Sequence, residues 1–322
     1  MFEQVQELKK QYQIIPATSK EFDGDGGVII SALQEKFRSY RLLIDTRPVH
    51  TLVIGSERSG KGETFLFPMI DVQSRAKNKP SLVINDARGE LAAASYETLV
   101  ARGFDVYVFN LSQQCTEMAL DLTDIGFGDK PIAIFVVSSD WSSRMLASKF
   151  LSHLYRVNVE KAIMSPGGKT KRLVHFLLDD LGNMPPIEGM AEMIAVSASK
   201  GFRLHLIFQI ISQLKGLYRD AADTIIGNCS NQIYIGIKDK TTADQLSAFI
   251  GMKTIIGSQS GKKEQSLLIP EDLMYLKDGE SVVVRTNKGL KPIFNRGITA
   301  AKFRHEYLAK DFDKNKSILA LK

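Results

Sequence analysis

One stretch constrains this chain more than any other. Thr51-Leu52-Val53-Ile54-Gly55-Ser56-Glu57-Arg58-Ser59-Gly60-Lys61-Gly62-Glu63-Thr64 sets an apolar, β-branched run before a glycine-bounded loop, and Thr64-Phe65-Leu66 then opens a helix. Gly55 and Gly60-Lys61 have the spacing of a phosphate-binding P-loop. Glycines let the backbone curl so that successive N–H groups point inward, and the helix N-terminus adds partial positive charge. Gly55, Ser56, Glu57, Arg58, Ser59, Gly60, Lys61, Gly62 and Glu63 are therefore the candidate phosphate-binding residues. Lys61 is expected to reach the outer phosphates as a point charge and, with the site empty, to face solvent. One part departs from the usual motif: Gly62 stands where most P-loops carry a Ser or Thr that ligates Mg²⁺. A strand before the loop and a helix after it favour nucleotide binding over a plain surface turn.

Composition narrows the remaining choices. The 322 residues, 44% hydrophobic and 24% charged, are ordinary for a globular protein. Cys115 and Cys229 provide neither a disulfide framework nor paired metal-ligand spacing, which fits a reducing compartment. The histidines are scattered without zinc spacing, and His175 and His205 lie inside apolar runs, as core histidines do. A net charge of +6 permits a nucleic-acid partner without requiring one. No apolar run approaches the ~18 residues a membrane helix needs, and Met1-Phe2-Glu3 opens no signal peptide. A soluble, cytoplasmic chain is expected.

Along the chain, residues 1–20 read as polar and weakly helical, 23–27 as a turn and 28–41 as a short amphipathic segment. After the P-loop, continuous apolar runs at 81–85, 105–109, 132–137, 173–178, 204–208 and 232–237 alternate with helical stretches. Strands apolar on both faces, separated by helices, predict an α/β fold with a mainly parallel, doubly covered sheet. Ser138-Ser139-Asp140 predicts a helix N-cap, followed by an apolar face of Leu146, Ala147, Phe150, Leu151 and Leu154. Gly167-Gly168-Lys169-Thr170 has a P-loop's ending but follows a helix and precedes a strand, so it reads as a basic surface loop.

Two further strand ends carry chemistry. The run 173–178 ends in Asp179-Asp180. Ligands of parallel sheets sit at the strands' carboxyl ends, where the P-loop also lies. Such a pair can divide labour, Asp179 holding Mg²⁺ and Asp180 positioning an attacking water; the alternative is a helix-capping Asp beside a solvated one. The run 204–208 ends in Gln209, which can sense a terminal phosphate or orient water, or can simply bond the backbone of a turn.

Taken together, these motifs resemble the type IV secretion coupling proteins, the TraG/VirD group of conjugation ATPases. The resemblance is carried by 55–62, by Asp86-Ala87-Arg88-Gly89-Glu90-Leu91 and by Leu178-Asp179-Asp180-Leu181-Gly182-Asn183-Met184-Pro185. It continues through Phe208-Gln209-Ile210-Ile211-Ser212-Gln213-Leu214, Thr242-Ala243-Asp244-Gln245-Leu246-Ser247 with Gly251, and Leu267-Leu268-Ile269-Pro270-Glu271-Asp272-Leu273. It spans about residues 47–300 in order, and within that group Gly after the P-loop Lys is familiar.

The resemblance implies a RecA-like P-loop NTPase domain over 47–322, with 1–46 as an N-terminal segment on it. It implies ATP and Mg²⁺ as ligands and a homo-hexameric ring at the cytoplasmic face of the bacterial inner membrane. The partners it implies are DNA with its relaxase, or a secreted protein, together with other secretion-system subunits. Four departures stand out: Asp180 where the family usually has Glu, Arg88 where it has Lys, Ala87 where it often has Pro, and Lys200 where it often has an arginine finger. The family's membrane helices and all-helical insertion have no counterpart in this sequence. Only 110–131 joins two successive strands where the insertion belongs, which fits a natural minimal relative or a soluble core with both parts removed; the second is the expectation, mostly monomeric and weakly active. Alternatives are a related double-stranded DNA translocase, a nucleotide-gated substrate receptor that hydrolyses little, and a nucleotide-binding subunit without a transport role.

Overall fold

The computed structural model describes residues 2–3, 5–18, 20–34, 40–111, 120–256, 262–286 and 291–295. Cys115 and residues 296–300, at the end of the stretch that resembles the coupling proteins, lie outside them. The chain opens with α1 (Val5–Gln11), β1 (Gln13–Pro16), β2 (Phe22–Asp25), β3 (Val28–Gln34) and β4 (Tyr40–Asp45). Next come β5 (Thr51–Ile54), α2 (Phe67–Arg75), β6 (Ala76–Asn78), β7 (Ser81–Asn85), α3 (Glu90–Ala101) and β8 (Asp105–Asn110). Then follow α4 (Asp124–Phe127), β9 (Ile132–Val137), α5 (Trp141–Met164), β10 (Val174–Leu178), α6 (Met190–Val196) and β11 (Phe202–Phe208). The last part holds α7 (Ile211–Tyr218), α8 (Ala222–Asn228), β12 (Asn231–Tyr234), α9 (Lys240–Ile250), β13 (Met252–Ile256), β14 (Lys262–Ser266), α10 (Pro270–Met274), β15 (Ser281–Arg285) and β16 (Ile293–Asn295).

Among the described residues, nine strands form one sheet in the order β16-β15-β12-β5-β11-β10-β7-β9-β8. From β12 to β8 every pairing is parallel, and at one edge β15 pairs antiparallel with both β12 and β16. The period of two along each strand explains why both faces are apolar. Leu52, Ile54, Val83, Phe176, Leu178, Leu206 and Phe208 enter the core beneath α5 to α9. Val53, Leu82, Ile84, Leu177 and Ile207 enter a second core beneath α2, α3 and the N-terminal elements. A strand buried on both sides has no polar face to alternate with, hence the continuous apolar runs. The expected α/β architecture is borne out.

The N-terminal part departs from its sequence reading. Residues 13–16 are strand rather than helix and pair with 40–45, which pairs in turn with 28–34, in an antiparallel sheet ordered β1-β4-β3. The expected turn at 23–27 is partly strand: β2 pairs in parallel with β6. This segment is fixed to the sheet edge through Arg285, fully buried, which donates to Gln11, the Tyr12 hydroxyl and the Glu3 carboxylate.

Helix α5 begins as expected. The Ser143 N–H donates to Asp140 Oδ1 (3.0 Å), and the Asp140 N–H donates to Ser143 Oγ (3.1 Å). Ala147, Leu151 and Leu154 are buried, but Leu146 is 53% exposed and is not part of the core face. A residue one position before Ala147 is rotated about 100° around the helix, which carries it off a stripe centred on Ala147, Leu151 and Leu154. His175 and His205 are core residues as expected, their Nδ1 and Nε2 atoms 2.9 Å apart. Burial lowers the His205 pKa to about 3 and takes His175 well below its ordinary value. Residues 165–170 form a turn-rich connection between α5 and β10, as their sequence context requires.

Candidate active site

The strand register assembles the site. Ile54 pairs with Phe208, Leu178 pairs with both Leu206 and Asn85, and these strands run the same way. The residues that follow them, Gly55, Gln209, Asp179 and Asp86, therefore emerge side by side at one end of the sheet. Gln209, Asp179 and Asp86 line a cleft of about 470 Å³ together with Glu57 to Glu63, Arg88, Arg144, Asp180 and Asn183.

The loop after β5 is held by its neighbours. The Gly55 N–H donates to the Phe208 carbonyl (3.0 Å) and the Ser56 N–H to that of Gly236 (3.3 Å). A Cβ on Gly55 would lie 2.5 Å from the Ile235 carbonyl oxygen, so no side chain fits there. Gly60 has φ +82°, in the left-handed region that glycine adopts without strain. The helix then begins with a wide turn over Gly62–Leu66, in which the Phe67 N–H reaches back five residues to the Gly62 carbonyl. Pro68 follows at once and has no N–H to continue the regular ladder; a wider turn also gives its ring room.

Lys61 differs from its sequence reading. It is half-buried rather than solvent-facing, and Nζ donates to the carbonyls of Gly55 and Ser56, the latter at 3.0 Å. Burial lowers its pKa, an effect opposed by the charges of Asp179, Asp180 and Glu57. The ammonium thus occupies the centre of the curled loop. Gly62 has room: a Cβ there would meet nothing nearer than the Phe67 ring at 3.7 Å. Local crowding does not account for the missing hydroxyl.

The acidic pair is asymmetric. Burial, reinforced by the neighbouring Asp180 charge, raises the Asp179 pKa to about 6, against the pull of Lys61. The Asp179 carbonyl accepts from Asn85 Nδ2 at 2.6 Å, which ties β10 to β7. Asp180 sits in the left-handed region, φ +54°. Its Oδ1 accepts from Asn183 Nδ2 (2.8 Å) and from Gln209 Nε2 (3.2 Å). Gln209 is more than a turn residue, since its amide joins the end of β11 to the acidic pair.

Three cleft residues received no role from the sequence. Asp86 is fully buried at the end of β7, and burial raises its pKa to about 7. Its Oδ2 accepts from the Ala92 N–H (2.8 Å), closing the first turn of α3. The signal for it was the one used for Asp179, a carboxylate directly after an apolar run. Asn183 and Arg144 gave no such signal, because their relation is spatial: Arg144 Nη1 donates to the Asn183 carbonyl (3.1 Å) across 39 positions of chain.

The donor set suits a polyphosphate with a divalent cation. A curled loop holds Lys61 at its centre, Ser59 Oγ is buried there without a partner among the described residues, and Lys61 shares the cleft with Asp179 and Asp180. Among the described residues no group of three or more His, Cys, Asp or Glu could hold a metal by itself. A cation here would need a ligand's own oxygens beside Asp179, as Mg²⁺ typically takes.

Residues 173–287 match the family described as the TraM recognition site of TraD and TraG. The resemblance to the coupling proteins is borne out. A plasmid coupling protein, TrwB, solved with the non-hydrolysable GTP analogue GDPNP, superposes with a TM-score of 0.60 at 11% identity, over 78% of this chain and 86% of that one. TrwB lacking its first segment, described as a bacterial conjugative coupling protein in complex with sulphate, gives 0.61 at 12% identity over 79% and 86%. TrwB has also been solved with ADP and Mg²⁺, at a TM-score of 0.56 and 12% identity over 78% and 85%. The fold is that of the RecA-like P-loop NTPases. A Bacillus anthracis protein, the uncharacterized pXO2-15, is 32% identical over 136 residues, covering 35% of this chain and 50% of its own length. The chain thus spans about half of that curated relative. No helix of the described residues is long and apolar enough to cross a membrane.

Proposed function

We propose that this chain is the ATP-hydrolysing motor core of a coupling protein, joining hydrolysis to recruitment and transfer of DNA with its relaxase, or of a secreted protein. One observation carries the reading: three parallel strand ends bring the P-loop, Asp179-Asp180 and Gln209 to a single cleft. The match of 173–287 to the coupling-protein family supports the transport role.

In this reading the loop 55–63 cradles the phosphates, the N–H groups of Gly55, Ser56 and Ser59 staying on the protein's own carbonyls, and Lys61 leaves its own loop's carbonyls to neutralise them. Asp179 holds Mg²⁺, which when bound offsets phosphate charge and orients the terminal group. Asp180 accepts a hydrogen bond from the attacking water, and Gln209 fixes the Asp180 carboxylate from the side. Residues 47–322 constitute the nucleotide-binding domain and 1–46 an accessory segment. The assembled form is a hexamer at the cytoplasmic face of the membrane, whereas this core by itself is mostly monomeric and weakly active.

A second reading, a nucleotide-gated receptor with little turnover, draws on two observations. Lys61 is already engaged with its own loop, and Asp180 is one methylene shorter than the family's usual Glu. Steady-state hydrolysis of Mg²⁺-ATP decides between them. A motor core should give specific activity that rises with protein concentration and with added single-stranded DNA. Activity at background under all these conditions, with ATP still bound, would select the receptor.

A further inference from the structure

We propose that Arg144 binds the outermost phosphate from within the same subunit and relays its presence to Asp180, so that it is the residue that separates a triphosphate from a diphosphate. This rests on the nucleotide reading above. Arg144 lies in the first turn of α5, immediately after the Asp140–Ser143 capping box, on a backbone fixed at its start. It lines the cleft beside Asp179, Asp180 and Asn183. Among the described residues its side chain makes one hydrogen bond, Nη1 to the Asn183 carbonyl, while Nε is buried with no acceptor. Although six carboxylates line the same cleft, Asp179 and Asp180 among them, Arg144 forms no ion pair among the described residues.

A guanidinium has five N–H donors and keeps its charge at any pH the protein meets. Leaving most of them unanswered in a half-buried cleft is unfavourable, and a planar fork of donors matches a phosphate better than any neutral group. Position selects which phosphate. Lys61 lies at the P-loop under β5, whereas Arg144 follows β9, on the far side of β10 and beyond the acidic pair. An anion that reaches Arg144 has passed Lys61 and lies at the Asp180 end of the cleft, where a third phosphate ends and a second does not.

The relay follows from the hydrogen bonds. Arg144 holds the carbonyl of Asn183, whose side chain donates to Asp180 Oδ1, the same oxygen that Gln209 donates to. Asp180 and Asn183 bracket one tight turn, the Asn183 N–H donating to the Asp180 carbonyl at 3.0 Å. A shift of the guanidinium toward an anion therefore bears directly on the residue that orients the water.

The test is titration calorimetry with Mg²⁺-ADP and a Mg²⁺-bound non-hydrolysable ATP analogue on the wild type, Arg144→Gln, Arg144→Lys and Lys61→Ala. Arg144→Gln should weaken the triphosphate about 30-fold and the diphosphate less than about 3-fold, and Arg144→Lys should restore most of the preference, since a charge-assisted contact to one group is lost and then partly replaced. Lys61→Ala should weaken both ligands. Equal losses for both ligands in Arg144→Gln, or an unchanged preference, would refute the role of Arg144 while the Lys61→Ala result upholds the nucleotide site. A wild type that binds neither ligand would overturn both readings. Should Arg144→Gln not fold, Arg144→Ala takes its place: a triphosphate loss at least about 10-fold larger than the diphosphate loss supports the role, and equal losses for both ligands refute it.

Discussion

Asp180 keeps its carboxylate on a backbone of φ +54°, a conformation that Asp and Asn adopt several-fold more readily than most residues and Glu does not. The substitution relative to the coupling proteins is therefore not a simple shortening of the side chain. An Asp suits this turn, and Asn183 and Gln209 hold it in place. A longer Glu would regain reach at the expense of local strain, so Asp180→Asn is the cleaner probe. Asn tolerates the same backbone, and its Oδ1 can still accept both hydrogen bonds. Turnover of ATP should fall about 100-fold with affinity nearly constant, because only the water-orienting charge is removed. Equal turnover in Asp180→Asn and wild type, measured by phosphate release, would mean that Asp180 does not orient the water. At this scale much of the site was legible, since Lys61 follows the glycine spacing of the loop and Asp179-Asp180 and Gln209 stand directly beyond apolar runs. Arg144 was not legible, because a residue in a helix reveals its cleft-facing direction only once Asn183 has been brought beside it.

At the scale of elements, the ends of β7 and β10 place two carboxylates, Asp86 and Asp179, in a poorly solvated position with raised pKa values of about 7 and about 6. Burial is the first cause for both, and each ionised form is disfavoured. The folded state of Asp86 therefore binds a proton more tightly than the unfolded chain, whose Asp titrates near 3.8. Its contribution to stability is fully present below about pH 4 and is lost as pH rises through about 7. Asp86→Asn removes that loss while keeping an acceptor for the Ala92 N–H. Relative to wild type, the variant should gain stability between pH 5 and pH 8, on the order of 1–3 kcal/mol, read from urea midpoints without nucleotide or metal. A difference that is flat across this range would contradict the buried, proton-holding assignment. The seven strands of the parallel stretch were readable from their apolar runs, whereas 28–34, 40–45, 281–285 and 293–295 drew no strand reading. Nor did 13–16 and 22–25, each four residues long and too short to display a period of two.

For the whole molecule, the parallel order β12-β5-β11-β10-β7 matters more than any single residue. It sets the P-loop beside Gln209, Gln209 beside the acidic pair, and that pair beside Asp86. Alternating apolar strands and helices predict a parallel sheet but not its strand order, which depends on contacts far apart in sequence. The resemblance to the coupling proteins supplied the RecA-like expectation, and the superposition on TrwB agrees with it. The central claim is that this end of the sheet binds Mg²⁺-ATP through the P-loop. Its most direct test is calorimetric titration of Mg²⁺-ATP into the wild type and into Lys61→Ala, with folding of both checked by circular dichroism. Saturable binding by the wild type and a loss of at least about 10-fold in the folded variant are the predicted results, as expected for removing a charge-assisted contact of roughly 1.5–3 kcal/mol. Equal affinity in the two proteins, or no binding by a folded wild type, would contradict the account.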